Sequence, residues 1–289
     1  MHVEMLLKSV IVLVVLFEGF RILLLPSYHA RALGAVMLAA GYVLVRRDIP
    51  SGKGKKSFSI LPLAGVLVVF GDLFYNIVVK DSTQFLGLDW MTIMFGGMLI
   101  AYNFIPAKYA TETRFLTIFL GLFFISLSLP LAVLSMKVSG SAGSHYTSAF
   151  IARPLATLLK LYGVKTSWVG NWVYYSGLKG VIRLGIGISC SGAYSFAIFF
   201  SAFTAYVHVR YARLDKKIVF LLLAGLAGTY AANLLRVFMI ALVGYYYGEA
   251  ALISAHKNLG WIIFMAWVTL FWYIGFRIFY EGKTSLPRG

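Results

Sequence analysis

The chain has 289 residues, of which 60% are hydrophobic and only 12% are charged, and its formal net charge is +16. A soluble domain carries about twice that charged fraction, so the composition excludes a soluble globular enzyme. Most basic residues lie in short loops between apolar segments, which favours cytoplasmic loops facing anionic lipid over nucleic-acid binding.

Several apolar segments are long enough to cross a bilayer as helices, which takes about 20 residues each. Eight spans are predicted, at about residues 5–25, 30–45, 58–79, 86–105, 115–136, 191–209, 218–246 and 258–279. The first segment contains Glu18 and Arg21 and has no small-residue cleavage site, so we interpret it as a membrane helix rather than a signal peptide. The sequence therefore predicts an all-α polytopic membrane protein, with residues 1–289 forming a single integral membrane domain.

The basic residues of the short loops predict the orientation. Lys and Arg are frequent in loops 46–57, 106–114 and 210–217 and at the C-terminus, whereas loops 80–85 and 248–257 contain few. Because basic short loops stay on the cytoplasmic side, we expect a multi-pass cell-membrane protein with both termini in the cytoplasm. Segment 137–190 would then be extracytoplasmic.

The long segment 137–190 has its own pattern. Residues 147–163 predict a short helix at the membrane interface, with Arg153 and Lys160 on its wet side. Apolar and aromatic residues flank the turn Ser176–Gly180, which predicts a β-hairpin with strands at 172–175 and 181–189. We expect a small insertion, a short helix plus a β-hairpin, before the sixth span.

Cys190, the only cysteine, lies where this segment meets the sixth span. A lone cysteine cannot form an intrachain disulfide, and it can simply be a small apolar filler. A helix N-terminus and nearby positive charge, however, favour the reactive thiolate. Ser189 or Ser191 is a plausible N-cap for this helix, so Cys190 is also a candidate nucleophile.

Arg236 lies inside the seventh span, past its midpoint, and charges in membrane helices are functional candidates. It could instead pair with Glu18 or Asp72 and have only a structural role. Asn233 precedes Arg236 by three residues, so both occupy one helix face, and Asn233 would orient Arg236.

His256 lies just before the predicted eighth span, where a solvated capping histidine is common. The predicted topology nevertheless places Cys190, Arg236 and His256 at one depth, at the outer ends of three consecutive helices. A histidine can take a thiol proton and return it to a leaving amine. Arg236 cannot lose its proton but suits an oxyanion or a substrate carbonyl. Gly192, without a side chain, would let a substrate backbone approach.

These residues form three short motifs on the last three spans. The motifs are Cys190-Ser191-Gly192, Asn233-x-x-Arg236 and His256-x-x-x-Gly260. In this order they resemble the exosortase/archaeosortase family, and the resemblance covers about residues 115–280, whereas residues 1–114 match only in being membrane helices. Ser189 and Ala193 depart from the alanine and the isoleucine or leucine common in the family, and some branches have arginine in place of His256.

The resemblance implies a multi-pass membrane cysteine transpeptidase. Such enzymes act on exported proteins with a C-terminal tripartite signal, made of a short motif, a membrane helix and a basic tail. They cleave at the outer membrane face through a thioester, here on Cys190, and transfer the cargo to an acceptor that is thought to be a lipid in archaeal branches. Arg236 and His256 would complete the catalytic set, with Asn233, Ser191 and Gly192 in support.

Other interpretations of the same residues stay open. Glu18, Asp72 and Arg236 could line the pathway of a transporter. Ser191 could be the nucleophile of an intramembrane serine protease, and His145 and Arg183 are the natural substitutes for the base and the oxyanion partner. The sequence predicts no metal-ligand cluster, no phosphate-binding loop and no nucleic-acid module, so no cofactor is expected.

Overall fold

The computed structural model describes residues 2–23, 28–46, 61–79, 87–137, 142–187, 190–211 and 215–281. Their structure is mostly helical with a small antiparallel sheet, as the sequence predicts. The α-helices are α1 (His2–Leu23), α2 (Tyr28–Arg46), α3 (Leu61–Phe74), α4 (Gly87–Ala101), α5 (Ala110–Lys137), α6 (Ala142–Thr147), α7 (Arg153–Leu161), α8 (Ala193–Arg210), α9 (Lys216–Tyr247) and α10 (Glu249–Glu281). The strands are β1 (Thr166–Val169), β2 (Trp172–Gly177) and β3 (Gly180–Gly185), and single π-helical turns follow α3 (Tyr75–Val79) and α6 (Ser148–Ala152).

Four helical stretches in the described part of the chain are long and apolar enough to cross a membrane. They are Leu61–Val78, Ala107–Ser128, Lys216–Tyr247 and Glu249–Gly275. Two shorter apolar helices, Arg31–Leu44 and Asp89–Ala101, accompany them. Helix α1 contains Lys8, Glu18 and Arg21, and α8 ends in His208 and Arg210. The multi-pass character is thus confirmed for four stretches, and the count of eight spans stays a prediction.

The chain divides into two compact units. The first unit comprises residues 1–129 and 201–214, and the second comprises 130–200 and 215–289. In the first unit, α1 packs along α2 and α3 packs along α4. Glycine permits the second contact, because a Cβ on Gly65 would lie 2.5 Å from the carbonyl oxygen of Gly96. Small residues bring helices together in this way in membrane proteins.

A buried polar cluster joins α1 and α3 within the first unit. Arg21 donates to Glu18 Oε2 over 2.9 Å and to Asp72 Oδ1 over 3.3 Å, and its guanidinium lies over the Tyr75 ring. Asn76 donates to Asp72 Oδ2 over 3.3 Å. Glu18 and Arg21 thus form an ion pair three residues apart on α1, and Asp72 shares the same cation. Arg21 is therefore the cationic partner of both carboxylates for which Arg236 was a candidate.

In the second unit, α9 and α10 run antiparallel, and α7 and the sheet pack against α9. The predicted hairpin is confirmed as β2 and β3, paired from Trp172 with Gly185 to Gly177 with Gly180. Strand β1 was not predicted; it pairs with β2 and gives the strand order β1-β2-β3. The short helix predicted within residues 147–163 is confirmed as α7, with α6 and a π-helical turn before it. Its position at the membrane interface stays a prediction.

One buried stripe of α9 supports both the sheet and the chain around Cys190. Asn233, Val237, Ala241 and Gly244 are buried at successive turns of the helix. The hydroxyl of Tyr175 on β2 donates to the carbonyl oxygen of Ala241 over 3.0 Å, and burial raises the pKa of Tyr175, so this hydroxyl remains a donor. Position 244 is glycine because an added Cβ would lie 2.6 Å from the Tyr175 hydroxyl.

Candidate active site

Cys190 lies in a turn before α8 rather than in the helix itself. Its N–H donates to the carbonyl oxygen of Gly187 over 3.0 Å, and α8 begins at Ala193. The sixth helix therefore starts two residues later than predicted. Ser191 accepts a hydrogen bond from the N–H of Ala193 over 3.3 Å, as expected of a residue that caps a helix start. Ser189 lies outside the described residues.

Gly192 is required by backbone conformation and by packing. Its φ of +80° lies in the left-handed region that residues with a Cβ rarely adopt. A Cβ at this position would also lie 2.8 Å from Cγ and Nδ2 of Asn233. Asn233 thus occupies the position that a side chain at residue 192 would take, and the approach of a substrate backbone to Gly192 stays a prediction.

Asn233 contacts the turn that carries the thiol. Its Nδ2 donates to the carbonyl oxygen of Cys190 over 3.2 Å, and only 4% of the residue is exposed. The contact defines the orientation of the amide, because only its NH₂ end can donate to a carbonyl. Within the described chain, Asn233 Oδ1 is buried and accepts no hydrogen bond. The structure therefore links Asn233 to Cys190, whereas we expected it to orient Arg236.

His256 lies next to the thiol. The Cys190 Sγ is 3.8 Å from both His256 Nδ1 and His256 Nε2, and Cys190 is 7% exposed. Equal distances mean that the ring does not direct one nitrogen at the sulfur, so a small rotation brings either one closer. Catalytic hydrogen bonds are often long in the absence of substrate.

The expected position of His256 just before the last helix is wrong. Helix α10 begins at Glu249, so His256 lies in its third turn. The polar residues around His256 suggested a loop, but Leu252 and Ala255 are buried in the same apolar cluster as Cys190. Tertiary packing of this kind decides helix formation more than local composition does.

Arg236 follows Asn233 by three residues on α9 and is half-buried. The positive charge of the Arg236 guanidinium interacts electrostatically with the His256 ring. The structure thus gathers a thiol, an imidazole and a guanidinium from three elements of the second unit, with an amide that contacts the backbone of the thiol residue. Thiol and imidazole in this arrangement can transfer a proton, and a nearby cation can stabilise developing negative charge.

The substitutes considered for the base and the oxyanion partner lie elsewhere. His145 is exposed on α6. The guanidinium of Arg183 stacks over the Trp172 ring, 4.1 Å from its centroid, on the exposed face of the sheet. No group of three His, Cys, Asp or Glu residues in the described chain could hold a metal ion.

Two residues that position the site were missed by sequence reasoning. Gly187 accepts the Cys190 N–H and closes its turn. Gly248, with φ of +89°, ends α9 and lets α10 begin at the next residue. A glycine after three tyrosines was a recognisable helix C-terminus signal, and it would have placed His256 inside the following helix.

The fold and the site define a multi-pass helical membrane protein with a cysteine–histidine pair. Residues 26–273 match the family model of the transmembrane exosortases, so the chain belongs to this family. The matched range begins well before residue 115 and therefore includes α2, α3 and α4. In the sequence alone, these helices resembled the family only in being apolar. No curated protein and no solved structure matches the chain.

Proposed function

We propose that this protein is a membrane-embedded cysteine transpeptidase. It cleaves the C-terminal tripartite signal of exported proteins at the outer membrane face and transfers the cargo to a cell-surface acceptor, a lipid. The observation that carries the proposal is the approach of Cys190 Sγ to within 3.8 Å of both ring nitrogens of His256. Membership of the exosortase family supports the same chemistry.

Each residue has a role in the proposed reaction. His256 takes the proton of Cys190, and the thiolate bonds to the carbonyl carbon of the scissile peptide. Arg236 stabilises the oxyanion that forms. The C–N bond then breaks, the leaving amine takes the proton from His256, and the cargo remains as a thioester on Cys190. His256 then takes the proton of a hydroxyl or amine of the acceptor, whose oxygen or nitrogen bonds to the thioester carbonyl carbon. The C–S bond breaks, and the proton returns from His256 to the Cys190 sulfur.

Glu18 and Asp72 give little support to the transporter alternative. Both are buried and both contact Arg21, and Glu18 Oε2 lies only 2.7 Å from Arg21 Nη2. The ion pairs with Arg21 offset the cost of burying these carboxylates, so a structural role is enough to account for them. Likewise, Ser191 Oγ accepts a hydrogen bond from the Ala193 N–H, and this cap-like contact favours a structural role over a nucleophilic one.

The test is a pair of adjacent substitutions, Cys190→Ser and Ser191→Ala. Membranes containing each variant are mixed with an epitope-tagged tripartite cargo from the same genome, and cleavage is followed by immunoblot. Cys190→Ser should abolish cleavage because a serine hydroxyl is a far weaker nucleophile than a thiolate, whereas Ser191→Ala should retain it. Normal cleavage by Cys190→Ser, or loss with Ser191→Ala in a folded protein, would refute the proposed nucleophile.

A further inference from the structure

The outward edge of β3 leaves backbone groups unpaired near Cys190. The N–H of Ile186 donates to the carbonyl oxygen of Asn171 over 2.9 Å, which defines one hydrogen-bonded pair between β3 and β2. Hydrogen-bonded and non-hydrogen-bonded pairs alternate along antiparallel strands. By the observed register, the backbone N–H and C=O groups of Leu184 and Ile182 therefore point towards β2 and hydrogen-bond to it. Val181, Arg183 and Gly185 direct their N–H and C=O groups away from it.

This edge is open in the described structure. No backbone hydrogen bond from the described residues reaches Val181, Arg183 or Gly185 on the outward side. Val181 is 78% exposed. The side chain of Arg183 stacks over Trp172 of the neighbouring strand, so it lies over the sheet and leaves the edge clear. Natural proteins normally cover or blunt such edges, because they readily pair with another chain.

The edge leads directly to the thiol. β3 ends at Gly185, and Cys190 follows five residues later in the turn closed by the Cys190 N–H and the Gly187 carbonyl oxygen. A turn of this type keeps its end Cα atoms within about 7 Å of each other. The outward groups from Val181 to Gly185 span about 13 Å at the rise of a β-strand, which accommodates an extended segment of about four to five residues.

We propose that the edge of β3 binds the signal segment of the cargo as a fourth strand. This inference rests on the proposed function and assigns the substrate-binding surface of the same site. Main-chain hydrogen bonds to Val181, Arg183 and Gly185 hold the segment extended, as in other cases of β-strand addition. The segment then continues past Gly187 and carries its scissile carbonyl to Cys190.

The matched variants Arg183→Pro and Arg183→Ala test the binding surface. Proline removes the Arg183 side chain together with an N–H that faces outward, and edge strands tolerate proline at such positions. Alanine removes the same side chain but keeps the N–H. We expect Arg183→Pro to process tagged cargo about tenfold more slowly than Arg183→Ala, as the loss of one hydrogen bond and the added ring predict. Both should react with iodoacetamide at Cys190 at equal rates.

A control at the opposite edge separates binding from general disturbance of the sheet. Thr166 begins β1, where proline is also tolerated, and Thr166→Pro should process cargo at the wild-type rate. Equal processing by Arg183→Pro and Arg183→Ala, or an equal loss in Thr166→Pro, would overturn the proposal.

Photocrosslinking provides a measurement that does not depend on proline. With benzoylphenylalanine at position 181 in the Cys190→Ser background, uncleaved tagged cargo should crosslink through its signal segment, whereas benzoylphenylalanine at position 166 should give no crosslink. Absence of the position 181 crosslink while Cys190→Ser blocks cleavage would refute edge binding alone. Continued cleavage by Cys190→Ser would instead refute the proposed function.

Discussion

The hydrogen bond from Asn233 to Cys190 makes a quantitative prediction. Asn233→Ala removes the Nδ2 donor, which lies 3.2 Å from the carbonyl oxygen of a residue that is 7% exposed. Leaving a buried acceptor unsatisfied costs about 1–3 kcal/mol. At about 1.4 kcal/mol per factor of ten, the equilibrium constant that favours the turn holding the thiol beside His256 should fall about 5–150-fold.

The assay uses the single cysteine of the chain. Iodoacetamide alkylation, followed by intact mass, reports on Cys190 alone, and the rate of acyl-enzyme formation with tagged cargo reports on catalysis. We expect both rates to fall at pH 7 for Asn233→Ala. The deficit in alkylation should narrow at pH 9, where the thiol ionises without help from His256. A merely destabilised protein would show a lower melting temperature without this pH dependence.

Asn258→Ala is the matched control for this substitution. Asn258 lies on α10, is exposed, and donates to the Ser254 carbonyl oxygen over 3.0 Å. The Asn258→Ala substitution removes the same type of side chain from a helix near the site without affecting Cys190. Both rates should stay within about twofold of wild type, because the exposed Ser254 carbonyl can bond to water instead. Unchanged rates in Asn233→Ala would refute a positioning role for Asn233.

The remaining predictions concern the other site residues and the topology. His256→Ala should slow acyl-enzyme formation by about 10²–10⁴-fold at pH 7, and the rate should recover partly at pH 9. Arg236→Lys should slow the same step by about 10²–10³-fold, with no recovery at pH 9. The opposite pH behaviour would show that the two roles are exchanged. Gly192→Ala should destabilise the protein by about 1–3 kcal/mol, because of its φ of +80° and the contact with Asn233, and thermal unfolding measures this. Lys53→Cys in a Cys190→Ser background should resist an impermeant thiol reagent added outside, and labelling there would contradict cytoplasmic loops.

The parts of the fold that depend on local pattern could be predicted. Long apolar segments gave the helices, and the glycine-containing turn between aromatic strands gave the hairpin of β2 and β3. Strand β1 escaped prediction because Thr166–Val169 is only four residues long and half polar. Its formation depends on β2, which pairs with it, and on α7, which packs against it.

The candidate site was predictable in composition but not in arrangement. The lone cysteine, the intramembrane arginine and a nearby histidine are visible in the sequence. The contact between Asn233 and Cys190 is not, because it joins residues that are 43 positions apart. The reason for glycine at position 192 was also hidden, since the side chain that would meet an added Cβ comes from α9.

Helix α9 sets the spacing between the thiol and the sheet. Its buried stripe contacts the Cys190 carbonyl at Asn233 and the Tyr175 hydroxyl at Ala241, eight residues or about 12 Å further along the helix. If β3 binds cargo, Gly244→Ala should impair processing more than it impairs alkylation of Cys190. An added Cβ would lie 2.6 Å from the Tyr175 hydroxyl and displace the sheet, while the contact between Asn233 and Cys190 lies three turns away. Equal loss of both activities in a folded Gly244→Ala protein would show that the sheet and the thiol turn do not act as separable parts.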